Sequence, residues 1–194
     1  MSARLHADAL SVLGGWSTAS PAAAVARDRT LALLRAGPSV MTRAHRPGHV
    51  TASAMVVDAG ATQVLLCLHG GFRRWVQLGG HCEPGDPDLA AAALRETTEE
   101  SGIAGLVIHP EPIDVDIHPV RCAGAESLHY DVRFAVVAPP DAVERVSAES
   151  HALGWFHPDR LPEPLAHATA QLVAPALALA RRLAAPDPLP PPAG

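Results

Sequence analysis

The 194-residue chain contains no lysine: all 15 of its basic residues are arginine, and alanine is abundant. We read this as a composition bias without functional meaning. There is no excess of positive charge either. A formal net charge of -5 leaves no basic field for non-specific nucleic-acid binding. A small anionic ligand would depend on a metal and on local arginines. Cysteine is scarce. Cys67, Cys82 and Cys122 are odd in number and show no C-x-x-C spacing. A disulfide framework and a cysteine-based zinc site are therefore not expected, whereas a reducing cytoplasm is. Residues 1–15 are broken by Arg4, His6 and Asp8 and lack the apolar core of a signal peptide. No charge-free apolar run is long enough to span a membrane. The Ala/Leu stretch at 172–179 is interrupted by Pro175 and followed by Arg181 and Arg182.

What is present suits a soluble globular protein with a real core: 48% hydrophobic and 18% charged residues over a length typical of one domain with extensions. Residues 1–46 read as a helical extension. Ser20 and Pro21 open a helix as N-cap and first residue, Val25, Leu31 and Leu34 recur near helical spacing, and Gly37 with Pro38 stops it. The extension would cover the domain or build a homodimer contact. Residues 49–58 and 62–69 read as strands joined by a turn at Asp58, Ala59 and Gly60. A short strand at 75–78 follows a loop. Beyond residue 103, a short strand at 106–108 precedes Pro110 and Pro112. Residues 113–118 and 128–134 then alternate apolar and polar and read as an antiparallel pair linked around Gly124. The second of these extends through 135–138. A last strand at 153–156, a turn at 159–161 and an Ala/Leu-rich helix at 165–183 follow, with Pro175 kinking that helix or starting another. From Pro186 the tail is proline-rich and expected to be disordered. The organisation is thus an extension (1–46), a main domain (47–185) and a tail (186–194).

The densest chemical signal lies at 78–103, LGGHCEPGDPDLAAAALRETTEESGI. Glycines and the Pro84-Gly85 pair mark a loop. A helix starts near Asp88 and closes at Gly102, where a left-handed cap is expected. On it Glu96 lies three residues before Glu99 and four before Glu100, so three carboxylates crowd one face, and Arg95 alone cannot neutralise them. A solvated acidic face is the plain alternative; a hard divalent cation with oxygen ligands is the compensating one.

The stretch resembles the signature of the Nudix hydrolases, G-x5-E-x7-R-E-U-x-E-E-x-G-U with U aliphatic. Gly80 opens it, and Arg95, Glu96, Glu99, Glu100, Gly102 and Ile103 match its second half. Three departures occur: Thr97 at an aliphatic position, Asp86 for the first glutamate, and eight residues rather than seven between Asp86 and Arg95. The resemblance implies an α/β fold, a Nudix-like α/β/α sandwich with a mixed sheet and the signature at the edge of a cleft. It implies that Glu96, Glu99, Glu100 and the main-chain carbonyl of Gly79 bind Mg2+ or Mn2+, and that Arg95 positions a signature glutamate. The general base would be Glu96, or Glu149, six residues before Trp155, where some relatives carry a metal-binding glutamate. The implied reaction is cleavage of the diphosphate linkage in a nucleoside diphosphate derivative (nucleotide sugar, ADP-ribose, nucleoside triphosphate or dinucleoside polyphosphate). A catalytically silent nucleotide-sensing module of the same fold is the alternative.

Asp114, Asp116 and His118 on one alternating strand, and His129, Asp131 and Arg133 on the other, form polar faces that would ordinarily meet solvent. They are not the Thr/Lys/Gln mix of such a face and suit a cleft for ribose, base and phosphate. An auxiliary metal held by His118, His129 and either Asp116 or Asp131 is conceivable. Trp75 would stack on a base or pack on the sheet; Arg46, Arg73 and Arg74 would meet distal phosphates. His45, His49, His69 and His81 carry no signal individually, and Cys82 reads as a small packing group.

Overall fold

The structure, a computed structural model, describes residues 3–71, 73–122, 124–146 and 150–184. Its centre is β1 (Gly48–Val57), ten residues that are all buried. Such a run needs covering on both faces, and it receives it. Along one edge β1 pairs in parallel with β7 (Ala125–Val137) over its whole length, from Gly48 against Leu128 to Val57 against Val137. Its other edge is shared. β4 (Leu78–His81) lies antiparallel beside Thr51 to Ala54, and β2 (Val64–His69) beside Val56 and Val57. β3 (Trp75–Val76) and β8 (Ser150–Phe156) pair with β2. β5 (Val107–Ile108) and β6 (Asp114–Cys122) pair with β7. The result is an eight-stranded mixed sheet.

Helices cover both faces. On one, α1 (Ala3–Gly15) and α3 (Leu89–Ser101) bring Leu5, Leu13, Leu89 and Ala92 against Val50, Ala52, Val132 and Phe134. On the other, α4 (His167–Ala184) lays Leu172, Ala176 and Leu177 over Met55, Val57 and Ala135. This is the expected α/β/α sandwich. α2 (Pro21–Leu34) starts as read from sequence, with Ser20 accepting from the Ala23 N–H and Pro21 in the first turn. Its buried line, however, is Ala23, Ala26, Thr30 and Leu34, and Val25 faces outward. The extension covers the domain: Asp8 of α1 accepts the Leu89 N–H at 2.9 Å, capping a free donor at the start of α3.

One detail differs from expectation. Residues 75–78 are not one strand, because Gln77 separates β3 from β4 and the two pair with different neighbours. Pro175 lies inside a single helix, so none starts there. The parallel β1–β7 pairing has no local signature, and no sequence pattern announced it. The tail from Pro186 and Glu149 lie outside the described residues.

The same pairing sets up the chemistry. α4 packs its apolar residues on the far half of its face of the sheet and reaches Arg133 and Gln77 with its first turn. On the near half, His49, Thr51 and Ser53 of β1 stand beside His129, Asp131 and Arg133 of β7. These stand in turn beside His118, Asp116 and Asp114 of β6. A half-row of polar side chains therefore crosses three adjacent strands.

Candidate active site

The signature loop leaves β4 and returns as α3. Asp88 caps the helix by accepting the Ala91 N–H at 2.7 Å, and Gly102 closes it with φ of 65° and an N–H bond to Thr98. The buried hydroxyl of Thr97, at the position where an aliphatic side chain is expected, donates to the Ala93 carbonyl, so this departure leaves no buried donor unsatisfied.

Arg95 locks loop to helix. Its Nε and Nη2 meet the two oxygens of Asp86 at 3.0 and 3.1 Å, Nη1 reaches Glu96 at 3.0 Å and Glu99 at 3.1 Å, and Nη2 donates to the His81 carbonyl at 2.9 Å. Asp86 is buried and also accepts the Glu83 N–H. The shorter carboxylate, one residue out of step, therefore holds Arg95 by both oxygens. That bidentate bond, with Glu96 adding to it, pushes the guanidinium pKa well above its ordinary value.

The three signature glutamates divide. Glu100 Oε2 accepts the Gly79 N–H at 2.8 Å. The Glu96 carboxylate lies over Gly80, where a Cβ would come within 2.7 Å of Oε2. Both thus reach the glycines of β4, while Glu99 is largely exposed and held by Arg95. The Arg95 guanidinium meets three carboxylates, those of Asp86, Glu96 and Glu99, and Glu100 stands on the same helix face with its oxygen on the Gly79 N–H. Clustered carboxylate oxygens are the hard donors that fit a Mg2+-class dication.

The polar half-row is not a solvent face. Arg133, 2% exposed, binds Asp131 through Nε at 2.9 Å, Asp116 through Nη2 at 2.9 Å and Asp114 through Nη1 at 3.1 Å. Burial opposes its charge, but the three carboxylates outweigh burial and raise its pKa. Asp131 also accepts Thr51 Oγ1 at 3.0 Å and Ser53 Oγ at 2.8 Å. Gln77 ties the same carboxylate to Thr169 of α4. Burial pushes the Asp114 pKa up, whereas a hydrogen bond from His118 at 2.8 Å draws that of Asp116 down.

The expected residues are only partly brought together. Asp116, His118 and Asp131 share the polar face. The auxiliary metal set of His118, His129 and an aspartate is not assembled, because Asp116 holds His118 and Asp131 holds Arg133. Instead His129 gathers with His49, His81 and Cys122, the group among the described residues whose potential ligand atoms all lie within 4.8 Å of one another. Trp75 is half-buried, its ring edge-on to Phe156 with centroids 4.9 Å apart, against the core under α4. Arg46 is exposed and caps the Cys122 carbonyl. Sequence reasoning missed Arg133 as the hub, Gln77 as its link to α4, and His49, His81 and Cys122. Only the long-range strand pairings, β1 with β7, β4 with β1 and β6 with β7, would have shown them. Volume is no guide here: a cleft of about 610 Å³ runs between α1 and α4 and is lined by no signature residue.

Comparison with known proteins bears on this arrangement. The model of the NUDIX domain matches residues 47–176. No curated protein sequence matches. Among solved structures, a NUDIX-family hydrolase from Clostridium perfringens is 21% identical with a TM-score of 0.55, covering 68% of this chain and 97% of its own. A candidate asymmetric diadenosine tetraphosphate (Ap4A) hydrolase from Jonesia denitrificans is 19% identical with a TM-score of 0.56, covering 74% and 100%. A UDP-X diphosphatase is 18% identical with a TM-score of 0.53, covering 94% and 92%. At these identities the neighbours establish the fold, and the domain match, over most of the chain, establishes the family. Matched over most of its length, the chain belongs to the Nudix family and carries a domain of the Nudix hydrolase type.

Proposed function

We propose that the protein is a metal-dependent hydrolase that splits the diphosphate linkage of a nucleoside diphosphate derivative by attack of water at phosphorus. The observation that carries this is the convergence of Glu96 and Glu100 on Gly79 and Gly80, held there by Arg95 and by the Gly79 N–H. In this reading Glu96, Glu99, Glu100 and the Gly79 carbonyl hold Mg2+ or Mn2+. When bound, that ion neutralises phosphoryl oxygens and lowers the pKa of a water. The chain's own residues do the rest. Arg95 fixes the Glu96 carboxylate, a candidate to take the proton from the attacking water, with Glu149 the other candidate. Asp116 and His118 are the more open members of the polar face and would meet the sugar or base. Asp131 and Arg133 are buried beneath them and would hold them in place. The neighbours' names, a diadenosine tetraphosphate hydrolase and a UDP-X diphosphatase, support a nucleotide in which the diphosphate joins two moieties. Residues 47–185 would form the catalytic domain, with 1–46 as an integral support. Three free thiols suit a reducing cytoplasm, and no helix among the described residues is long and apolar enough to cross a membrane.

The test is product analysis over a panel of ADP-ribose, nucleotide sugars, nucleoside triphosphates and dinucleoside polyphosphates with Mg2+, for wild type beside Glu100→Gln. Turnover of at least one class, reduced by about 100-fold or more in the variant, is expected. Equal rates in both proteins would refute the proposal, and no turnover in wild type would refute it in favour of a silent sensing module.

A further inference from the structure

A second site lies on the polar half-row, beside the signature loop and chemically unlike it. His49 is the second residue of β1, His129 is its parallel partner on β7, His81 ends β4, and Cys122 ends β6. Four strands each send one nitrogen or sulfur donor to one place. The ring centroids of His49, His81 and His129 are 4.9 to 5.1 Å apart pairwise, and Cys122 Sγ lies 3.5 Å from His81 Nε2. The four potential ligand atoms fall within 4.8 Å of one another. Ligands at about 2.0–2.3 Å around a tetrahedral ion are spaced by roughly 3.5 Å, so modest inward rotation of the rings closes the set.

Packing alone does not account for the group. His49 is fully buried, yet neither of its ring nitrogens has a hydrogen-bond partner; Nε2 of His129 is likewise buried and unpartnered. The His45 main chain lies near enough to His49 to favour its charged form slightly, without forming a bond to the ring. A buried imidazole with both nitrogens unsatisfied gives up its hydration with nothing in return, and natural proteins keep few such groups. Two histidines carrying that deficit in the same spot, with a third and a thiol around them, want a common partner.

We propose that His49, His81, Cys122 and His129 bind a tetrahedral transition-metal dication of the zinc class, separate from the carboxylate site of α3. Three imidazoles and a thiolate are the soft and borderline donors that such ions select, whereas Mg2+ takes oxygen. The set is closed, with four protein ligands and no position left for water or substrate, which marks a structural centre. Binding displaces the Cys122 thiol proton to solvent. Burial first, and crowding among the three rings next, disfavour a charged imidazole at His49 and His129. The nearby Asp131 carboxylate acts in the opposite direction on His129, favouring positive charge there. The centre would pin β1, β4, β6 and β7 together beneath the signature loop. It would also fix His81, whose carbonyl accepts from Arg95.

The experiment uses the untagged full-length chain, grown with zinc and exhaustively dialysed, for metal analysis, and the same chain stripped and titrated with Co2+. About one equivalent of zinc retained per chain is expected, together with a thiolate-to-cobalt charge-transfer band and the intense visible bands of tetrahedral Co2+. Cys122→Ser should abolish the charge-transfer band and weaken Co2+ binding about 100-fold or more. Cys82→Ala, which removes a neighbouring buried thiol outside the set, should keep both. Wild-type protein that retains no zinc and gives no cobalt band overturns the proposal whatever the variants do. So does a charge-transfer band that survives Cys122→Ser, or one lost with Cys82.

Discussion

Gly79 and Gly80 stand side by side in β4, and one added methyl at each should separate fold from chemistry. Gly79 has φ of +145°, and a Cβ there would lie 2.3 Å from Ser53 Cα and 2.7 Å from the Ala52 carbonyl oxygen. Both are backbone atoms of β1, so relief requires prising the two strands apart along the register from Thr51 to Ala54. Backbone strain of about 1–3 kcal/mol and the loss of two or more ladder hydrogen bonds at about 1 kcal/mol each put Gly79→Ala at about 3–5 kcal/mol destabilising. At Gly80 the Cβ would meet Glu96 Oε2 at 2.7 Å and Cδ at 2.9 Å. Those atoms end a flexible side chain, which can turn away for about 1 kcal/mol. In turning, the carboxylate leaves Arg95 and the glycine strand. Gly80→Ala should therefore melt close to wild type while its kcat falls about 10- to 100-fold, a barrier increase of about 1.4–2.7 kcal/mol. Thermal melts beside turnover of the best panel substrate make the comparison. A Gly80→Ala protein with full turnover, or a Gly79→Ala protein as stable as wild type, refutes the reasoning.

Other outcomes follow from the same contacts. Arg95→Lys keeps the charge but cannot meet Asp86 with two donors and still reach Glu96, Glu99 and the His81 carbonyl; kcat should fall about 10-fold or more with stability reduced by about 1–3 kcal/mol, read by kinetics and urea melts. Arg133→Met leaves Asp114, Asp116 and Asp131 crowded without their shared guanidinium, at about 3–5 kcal/mol. The folded pKa of Asp114, already raised by burial, rises further without Arg133, so the defect should shrink as pH falls into the carboxylate range, as melts across pH will show. Asp8→Ala removes the acceptor for the Leu89 N–H and should lower stability by about 1 kcal/mol in urea melts, with Asp8→Asn milder. Asp58 presents the reverse pH sign. Burial raises its pKa, but the N–H groups of Gln63 and Thr62 outweigh burial and hold it below 3.8. Its stabilisation is present above pH 3.8 and lost as pH falls through the lowered value. The stability gap between wild type and Asp58→Asn should therefore close in acid.

Local chemistry was legible in the sequence and long-range pairing was not. Ser20 with Pro21, Asp88, Gly102 and the strict alternation at 113–118 and 128–134 each state their structure within a few residues. The signature was readable for the same reason, since loop, Arg95 and three glutamates lie in one short stretch. The partnership of β1 with β7, separated by some seventy residues, leaves no such mark. Without it, Asp131 and Arg133 look like half of a solvent face rather than the buried middle of a three-strand network. Without it, too, His49 is one histidine among eleven. The dismissal of a cysteine-based metal site rested on spacing along the chain. Cys122 meets its companions through the sheet instead, one donor per strand.

The central claim is that the α3 carboxylates and the β4 glycines hold a hard dication for diphosphate hydrolysis. Manganese titration followed by the loss of the free-ion EPR signal, on wild type, Glu96→Gln, Glu100→Gln and Cys122→Ser, tests it most directly. The account predicts a site weakened about 10-fold or more by either glutamine substitution and unmoved by the serine. Manganese binding that ignores both glutamates, or that depends on Cys122, would contradict it.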